Sequence, residues 1–234
     1  MNDVNSILNE LKKANSKLSV YLPTKKTDAE FSPITLSQQK NIIDKVVASN
    51  FGLIDFFNGL YTVIKTSTGV NTEELTTIDR INIILSYRKN IAPIYQDVEL
   101  EKLLAKNRHV ETPSLSKTFK TDRFTFELQT PSLATDYKYN SYIMSAYRDE
   151  KQIVGKLLVN EICKFIKTIT VNEGNQIIEL ESLTIKNKFT VIESLDISNL
   201  KEVMDYINEI RDAELLLTKF EDKQVEIGPE IFML

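Results

Sequence analysis

Few residues in this chain could carry covalent or metal chemistry. There is one cysteine, Cys163, and one histidine, His109, in 234 residues. A thiolate or imidazole zinc site needs three or four such ligands, so the chain cannot build one by itself. A single cysteine also rules out a disulfide within the chain. A Ser–His–Asp or Cys–His apparatus would have to use His109. That residue sits in the polar, basic run Lys106-Asn107-Arg108-His109-Val110 and reads as a solvated loop histidine, with a catalytic base as the alternative. Cys163 stands among Ile162, Phe165 and Ile166, the setting of a buried, inert thiol. The six glycines, at 52, 59, 69, 155, 174 and 228, never form G-x-G. Gly155-Lys156 is followed by Leu157, and position 150 is Glu, so there is no Walker A loop either. Both loops need glycine because backbone N–H groups must come close to phosphate.

Carboxylates are plentiful, in Glu73-Glu74, Asp149-Glu150, Glu179 with Glu181, and Asp212 with Glu214. Acid–base hydrolysis needs two carboxyls held at a set separation in a cleft, and nothing in these spacings singles out such a pair. They read as solvated charges. The middle of the chain is mildly basic, with Lys102, Lys106, Arg108, Lys117, Lys120 and Arg123 around Phe119 and Phe124. Basic plus aromatic residues suit a single-stranded nucleic-acid platform. The competing reading is a strand that buries its Phe face and solvates its Lys face. Net charge is −4, which gives no global attraction to nucleic acid or anionic lipid. The expectation is therefore no catalytic residue, no cofactor, no metal, no nucleic acid and no membrane. The end of the chain is different. Ile231, Phe232, Met233 and Leu234 are four large apolar residues after Gly228-Pro229, a bend that can redirect the chain. They either tuck onto the protein's own core or dock on a partner, and they are the candidate docking residues.

The elements that must position these residues follow from periodicity. The start MNDVNSILNELKKANSK lacks a cationic run followed by an apolar core and is not expected to be a secretory signal. Ile7, Leu8 and Leu11 predict a short helix to about residue 15. Alternation at Leu18, Val20 and Leu22, then Pro23–Asp28 and a return to Phe31, predicts a hairpin over 17–32. Thr35-Leu36-Ser37-Gln38 is a capping box that opens a helix through Val47. A helix at 53–66, apolar over most of its circumference, is expected to be the most buried, with Phe57 in its core. Thr76 or Thr77 caps another helix through Arg88, closed by Pro93, and a short charged helix follows at about 97–106.

The character changes near residue 110. Phe124, Phe126 and Leu128 alternate with polar residues in a strand stopped by Pro131. Residues 132–140 read as a polar connection, 141–168 as one long helix, 176–195 as short strands or loops, and Asp196 or Ser198 as the cap of a last helix through Ile210. The fold class expected is α+β, mainly helical, with an N-terminal β-hairpin and a small β region in the second half. The domains expected are 1–109 (hairpin plus helical region) and 110–234 (β segment, long helix and C-terminal helical region), possibly one compact unit.

The order of these signals resembles the baseplate hub and hub-assembly proteins of T-even-type contractile-tailed bacteriophages. The resemblance is carried by the Leu22-Pro23-Thr24 turn, Phe31-Ser32-Pro33-Ile34-Thr35 before a helix, Asp79-Arg80 followed by Tyr87-Arg88, the Phe-x-Leu-x-x-Pro-Ser stretch at Phe126–Ser132, and the Glu-Ile-Phe-Met-Leu ending. At the helix start, Gln38-Gln39-Lys40 stands where the family has an acidic-lysine run. Some relatives carry Cys pairs suggestive of metal, which this chain lacks. The resemblance implies a non-enzymatic virion protein of the tail baseplate, made in the host cytoplasm, that binds other baseplate or tail proteins in a symmetric assembly. The alternatives are a transient, chaperone-like assembly factor that is not retained in the particle, a cellular adaptor, and an enzyme using carboxylates or a metal.

Overall fold

The computed structural model describes residues 16–232 except 50, 149, 151, 152 and 175. The helix expected before residue 15 lies outside the described residues, as do Met233 and Leu234. The chain is α+β and mainly helical, with an N-terminal hairpin and a four-stranded sheet in its second half. It forms two compact units. The first holds the described residues of Met1–Asn71, Ile81–Val110 and Thr218–Leu234, and the second holds Thr72–Arg80 and those of Glu111–Leu217. Compared with the boundary expected at 109/110, 72–80 joins the second unit and 218–234 joins the first.

In the first unit, β1 (Leu18–Leu22) pairs antiparallel with β2 (Thr27–Phe31), with Leu18 opposite Phe31 and Leu22 opposite Thr27. Period-two alternation buries Val20, Leu22 and Phe31. Helix α1 (Leu36–Val47) begins with the full capping box, Thr35 and Gln38 each closing on the other's backbone N–H. Helix α2 (Leu53–Ser67) lies against α1. At Gly59 a methyl group would stand 3.2 Å from Ile42 Cγ1, so the helices approach where that side chain is absent. Helix α3 (Thr77–Ile91), of which Thr77–Arg80 belongs to the second unit, follows, then a two-residue-turn hairpin of β3 (Ile94–Tyr95) and β4 (Val98–Glu99). Its turn residues Gln96 and Asp97 both have positive φ, as such turns require. Helix α4 (Leu100–Asn107) leads out of the unit.

The second unit is built on an antiparallel sheet in the order β5 (Ser116–Lys120), β6 (Phe124–Gln129), β7 (Ile166–Val171), β8 (Gln176–Glu179). Phe126 pairs with Phe119 on one side and Ile169 on the other, and it is fully buried. The unit's helices are α5 (Leu133–Ala146), α6 (Val154–Phe165), α7 (Ile185–Glu193) and α8 (Lys201–Thr218), of which Thr218 belongs to the first unit. The last hairpin, β9 (Lys219–Phe220) with β10 (Lys223–Gln224), returns to the first unit and ends in a 3-10 turn at Pro229–Phe232.

Three expectations are corrected. The single helix at 141–168 is instead α5, α6 and the strand β7. Helix α5 starts eight residues earlier than expected because the Ser132 hydroxyl accepts the Thr135 N–H and caps it. Strand β7 begins at Ile166, where β-branched residues take over (Ile166, Thr168, Ile169, Thr170, Val171). The short strands or loops expected at 176–195 include β8 but also contain the helix α7, capped by Thr184. The most buried helix is α3, not α2, since every residue from Leu75 to Arg88 is buried. Phe57 is only half-buried, and its neighbour Phe56 is the core residue.

Candidate functional site

Partners for Asp79, Arg80, Asn82 and Tyr87 explain much of the burial of polar residues along α3. Thr76 and Asp79 form a capping box, with the Thr76 N–H donating to Asp79 Oδ2 at 3.0 Å and the Asp79 N–H to Thr76 Oγ1 at 3.3 Å. Within the first unit, Asn82 donates to the Tyr21 carbonyl at 3.0 Å and accepts from Asn107 Nδ2 at 2.8 Å. The Tyr87 hydroxyl lies 2.7 Å from Ser67 Oγ, and burial pushes its pKa up to about 12. Asp79 and Tyr87 are thus held by hydrogen bonds inside their own units.

The second unit concentrates charge where α5, α6, α8 and the first turn of α3 meet. Arg80 Nη1 is 2.5 Å from Asp136 Oδ2, and Lys164 Nζ is 2.7 Å from Asp136 Oδ1. Lys164 also reaches Glu161 at 3.1 Å, and Arg211 closes on Glu161 at 3.5 Å. Burial alone would raise the Asp136 carboxyl, but Lys164 and Arg80 outweigh it and hold the pKa at about 2. Burial alone would lower the Lys164 ammonium, and Asp136 and Glu161 outweigh it upward. Glu214 is pushed upward by burial, against the pull of Arg80 and the Thr77 hydroxyl. The position of Asp136 at i−4 from Asn140, whose Nδ2 donates to it at 3.3 Å, keeps both on one face of α5.

Next to this network a cleft of about 240 Å³ opens within the second unit. Lys138, Lys164, Lys167, Lys188, Glu73 and Glu181 line it. The first turn of α5 contributes Ala134 and Thr135, and Tyr139 and Cys163 line the apolar side. Burial pushes the Cys163 thiol up to about 12 and holds the Tyr139 phenol well above its ordinary value. Neither is poised to ionise near neutral pH. Lys188 Nζ stands 5.4 Å from the centre of the Tyr139 ring. Its pKa is held below the usual lysine value by burial and by the neighbouring Lys138 charge.

The residues singled out from the sequence are scattered. His109 is exposed just after α4. Of the carboxylate pairs, Glu73 accepts the Ser132 hydroxyl at 3.0 Å in the cleft wall, Glu179 and Glu181 are exposed, and Asp149 lies outside the described residues. The basic, aromatic middle is divided between the two units. In the first, Lys102 pairs with Glu99 at 2.8 Å, and Arg108 pairs with Asp28 and stacks over Tyr21. In the second, Lys117 pairs with Glu209 at 3.4 Å, and Phe119 stacks on Phe126 with centroids 5.0 Å apart. At the C-terminal end, Ile231 and Phe232 are fully buried in the first unit. The Phe232 ring lies 5.8 Å from that of Phe56, and its carbonyl accepts from Gln39 Nε2. These two candidate docking residues therefore face their own unit's core rather than a surface. Sequence reasoning missed the Asp136–Lys164 network and Lys188, because both sit in segments expected to be a loop or a continuous helix. The Ser132-x-x-Thr135 start and the Asp136/Asn140 spacing were the available signals.

Among the described residues no group of three or more His, Cys, Asp or Glu is placed to hold a metal ion, and no helix is long and apolar enough to cross a membrane. No protein-family model, no curated protein and no solved structure matches this chain.

Proposed function

We propose that this chain is a structural protein of a bacteriophage tail baseplate hub, working by protein–protein contact in virion assembly and not by catalysis. The phage assignment rests on the sequence resemblance from Leu22-Pro23-Thr24 to the Glu230–Leu234 ending. The observation that carries the contact function is the outer strand β8. It has one strand neighbour, β7, among the described residues, and its Ile177 is 63% exposed. Edge strands are normally blunted with Lys or Pro. The opposite edge, β5, bears Lys117 and Lys120, whereas β8 reads Gln-Ile-Ile-Glu with neither. Such an edge suits addition of an extended segment from another tail protein, with main-chain bonds giving affinity and Ile177 filling a partner pocket.

The test is incorporation. Purified particles are expected to contain the chain in fixed stoichiometry. Ile177→Lys is expected to fold normally by circular dichroism and to be depleted from particles. A chain found in infected lysate but absent from purified particles would replace this reading with the transient assembly factor. Normal incorporation of Ile177→Lys would remove β8 as the contact.

A further inference from the structure

We propose that the cleft at the start of α5 is a binding site for a phosphoryl group, with Lys188 as its principal charge partner. The proposal goes beyond the assembly role and does not depend on it. The residue that points to a ligand is Lys188 itself. It is only 5% exposed, it lines the cleft, and among the described residues its ammonium makes no hydrogen bond or ion pair. The Tyr139 ring lies beside its ammonium, 5.4 Å to the centroid. An ammonium carries three donors and a full charge, and holding it on a largely buried side chain without a counter-ion is costly. Lys164 in the same cleft shows the contrast, because Asp136 and Glu161 already satisfy it. Lys188 has no such carboxylate. Glu181 faces it from the loop before α7 without forming an ion pair, and Glu73 is bonded to Ser132.

The surroundings favour an anion with more than one charge. Lys138 and Lys167, both exposed, line the cleft, and the Lys138 charge acts on Lys188. Two cations near each other raise the cost of leaving the site empty, and a dianion relieves it. The first turn of α5 adds the positive end of a 14-residue helix. Its Leu133 N–H donates to the Leu75 carbonyl, the Thr135 N–H to Ser132 Oγ and the Asp136 N–H to the Ser132 carbonyl, but the Ala134 N–H, in the cleft wall, has no such partner among the described residues. Helix starts of this kind bind phosphate through backbone N–H groups. The volume of about 240 Å³ falls below the range usual for drug-sized ligands. It suits inorganic phosphate or a small phosphomonoester better than a nucleotide.

The test uses the intact protein and inorganic phosphate at constant ionic strength. At a tenfold excess over Kd the melting temperature is expected to rise by about 3–6 °C. Lys188→Met should lose that rise while melting at or above the unliganded parent, since it removes an unpaired buried charge. Lys138→Met, at an exposed side chain, should weaken binding roughly tenfold. Lys201→Met, at an exposed lysine not in the cleft wall, should leave it unchanged. No rise with the parent protein, or an equal rise with Lys188→Met, would overturn the proposal. A comparison of phenyl phosphate with benzoate separates the ligand classes. Tighter binding of phenyl phosphate supports the phosphoryl site, and equal binding of benzoate would refute it in favour of a carboxylate site.

Discussion

Replacing Asp136 with Asn tests the central electrostatic argument. The carboxylate is buried between Lys164 at 2.7 Å and Arg80 at 2.5 Å. Its pKa of about 2 in the fold, against about 3.9 in an unfolded chain, corresponds to on the order of 2–3 kcal/mol of stability at neutral pH. Removing one partner of a buried pair typically costs about 3–5 kcal/mol, because the other charge is left uncompensated. Lys164 keeps Glu161 at 3.1 Å, which favours the lower end. We expect Asp136→Asn to cost about 3 kcal/mol, or about 6–12 °C in melting temperature for a chain of this size. The pH dependence has a definite sign. The folded pKa lies below the unfolded one, so on acidification the unfolded chain takes up the proton first. The stabilisation is complete above about pH 5 and is lost as the pH falls toward 2. Urea titrations of both proteins across that window should show curves that converge at the acid end. A difference under about 1 kcal/mol at pH 7, or a gap that does not narrow on acidification, would refute the reasoning. A double-mutant cycle with Lys164→Gln should give a coupling of roughly 1–3 kcal/mol, and strict additivity would also refute it.

Other expectations follow from the same contacts. Phe232→Ala should cost about 3–5 kcal/mol in chemical denaturation, since the ring is fully buried beside Phe56. Glu214→Gln should stabilise at neutral pH, because burial raises that carboxyl. The folded state then takes up its proton before the unfolded chain does, so the advantage of Gln should fade as the pH falls through the raised value. Cys163, buried and pushed to about 12, should resist alkylation in the native protein and react once the chain is unfolded by denaturant. Ser132→Ala should cost about 1 kcal/mol by loss of the α5 cap, with a matching fall in melting temperature.

The hairpin at β1–β2, the capped start of α1 and the span of α2 were legible because local signals decide them. Alternation sets the strand face, the Thr35/Gln38 box sets the helix start, and the apolar run sets the length. The second half was less legible because local signals conflict there. Ser132–Asn140 looks polar, yet Asp136 and Asn140 are buried. Asp136 is matched by Lys164 and Arg80, which are 28 and 56 residues away in the chain, and Asn140 by Asp136 itself. The same mismatch hid the burial of α3. Asp79, Arg80, Asn82 and Arg88 suggest a solvated face, and only tertiary partners make it a core.

That pattern also says what a sequence can reveal about the candidate site. Periodicity weighs a side chain by its type, so it places a lysine outside and a phenylalanine inside. A functional residue often violates that weighting, and its partner is what distinguishes structure from function. Arg80 and Lys164 violate it with their partners inside the unit, and the pair reads as scaffold. Lys188 violates it with no ion pair among the described residues, on a helix that the sequence presented as short strands or loops. Gln39 and Phe232 make the converse point. Phe232 belongs to an apolar chain end that looked available for a partner, and it closes on Phe56 and Gln39 of its own unit. Apolar type at a chain terminus is therefore a weaker guide to a docking surface than the open hydrogen-bonding edge of β8. There β8 has one strand neighbour among the described residues, and it is its backbone, not its side chains, that offers an edge.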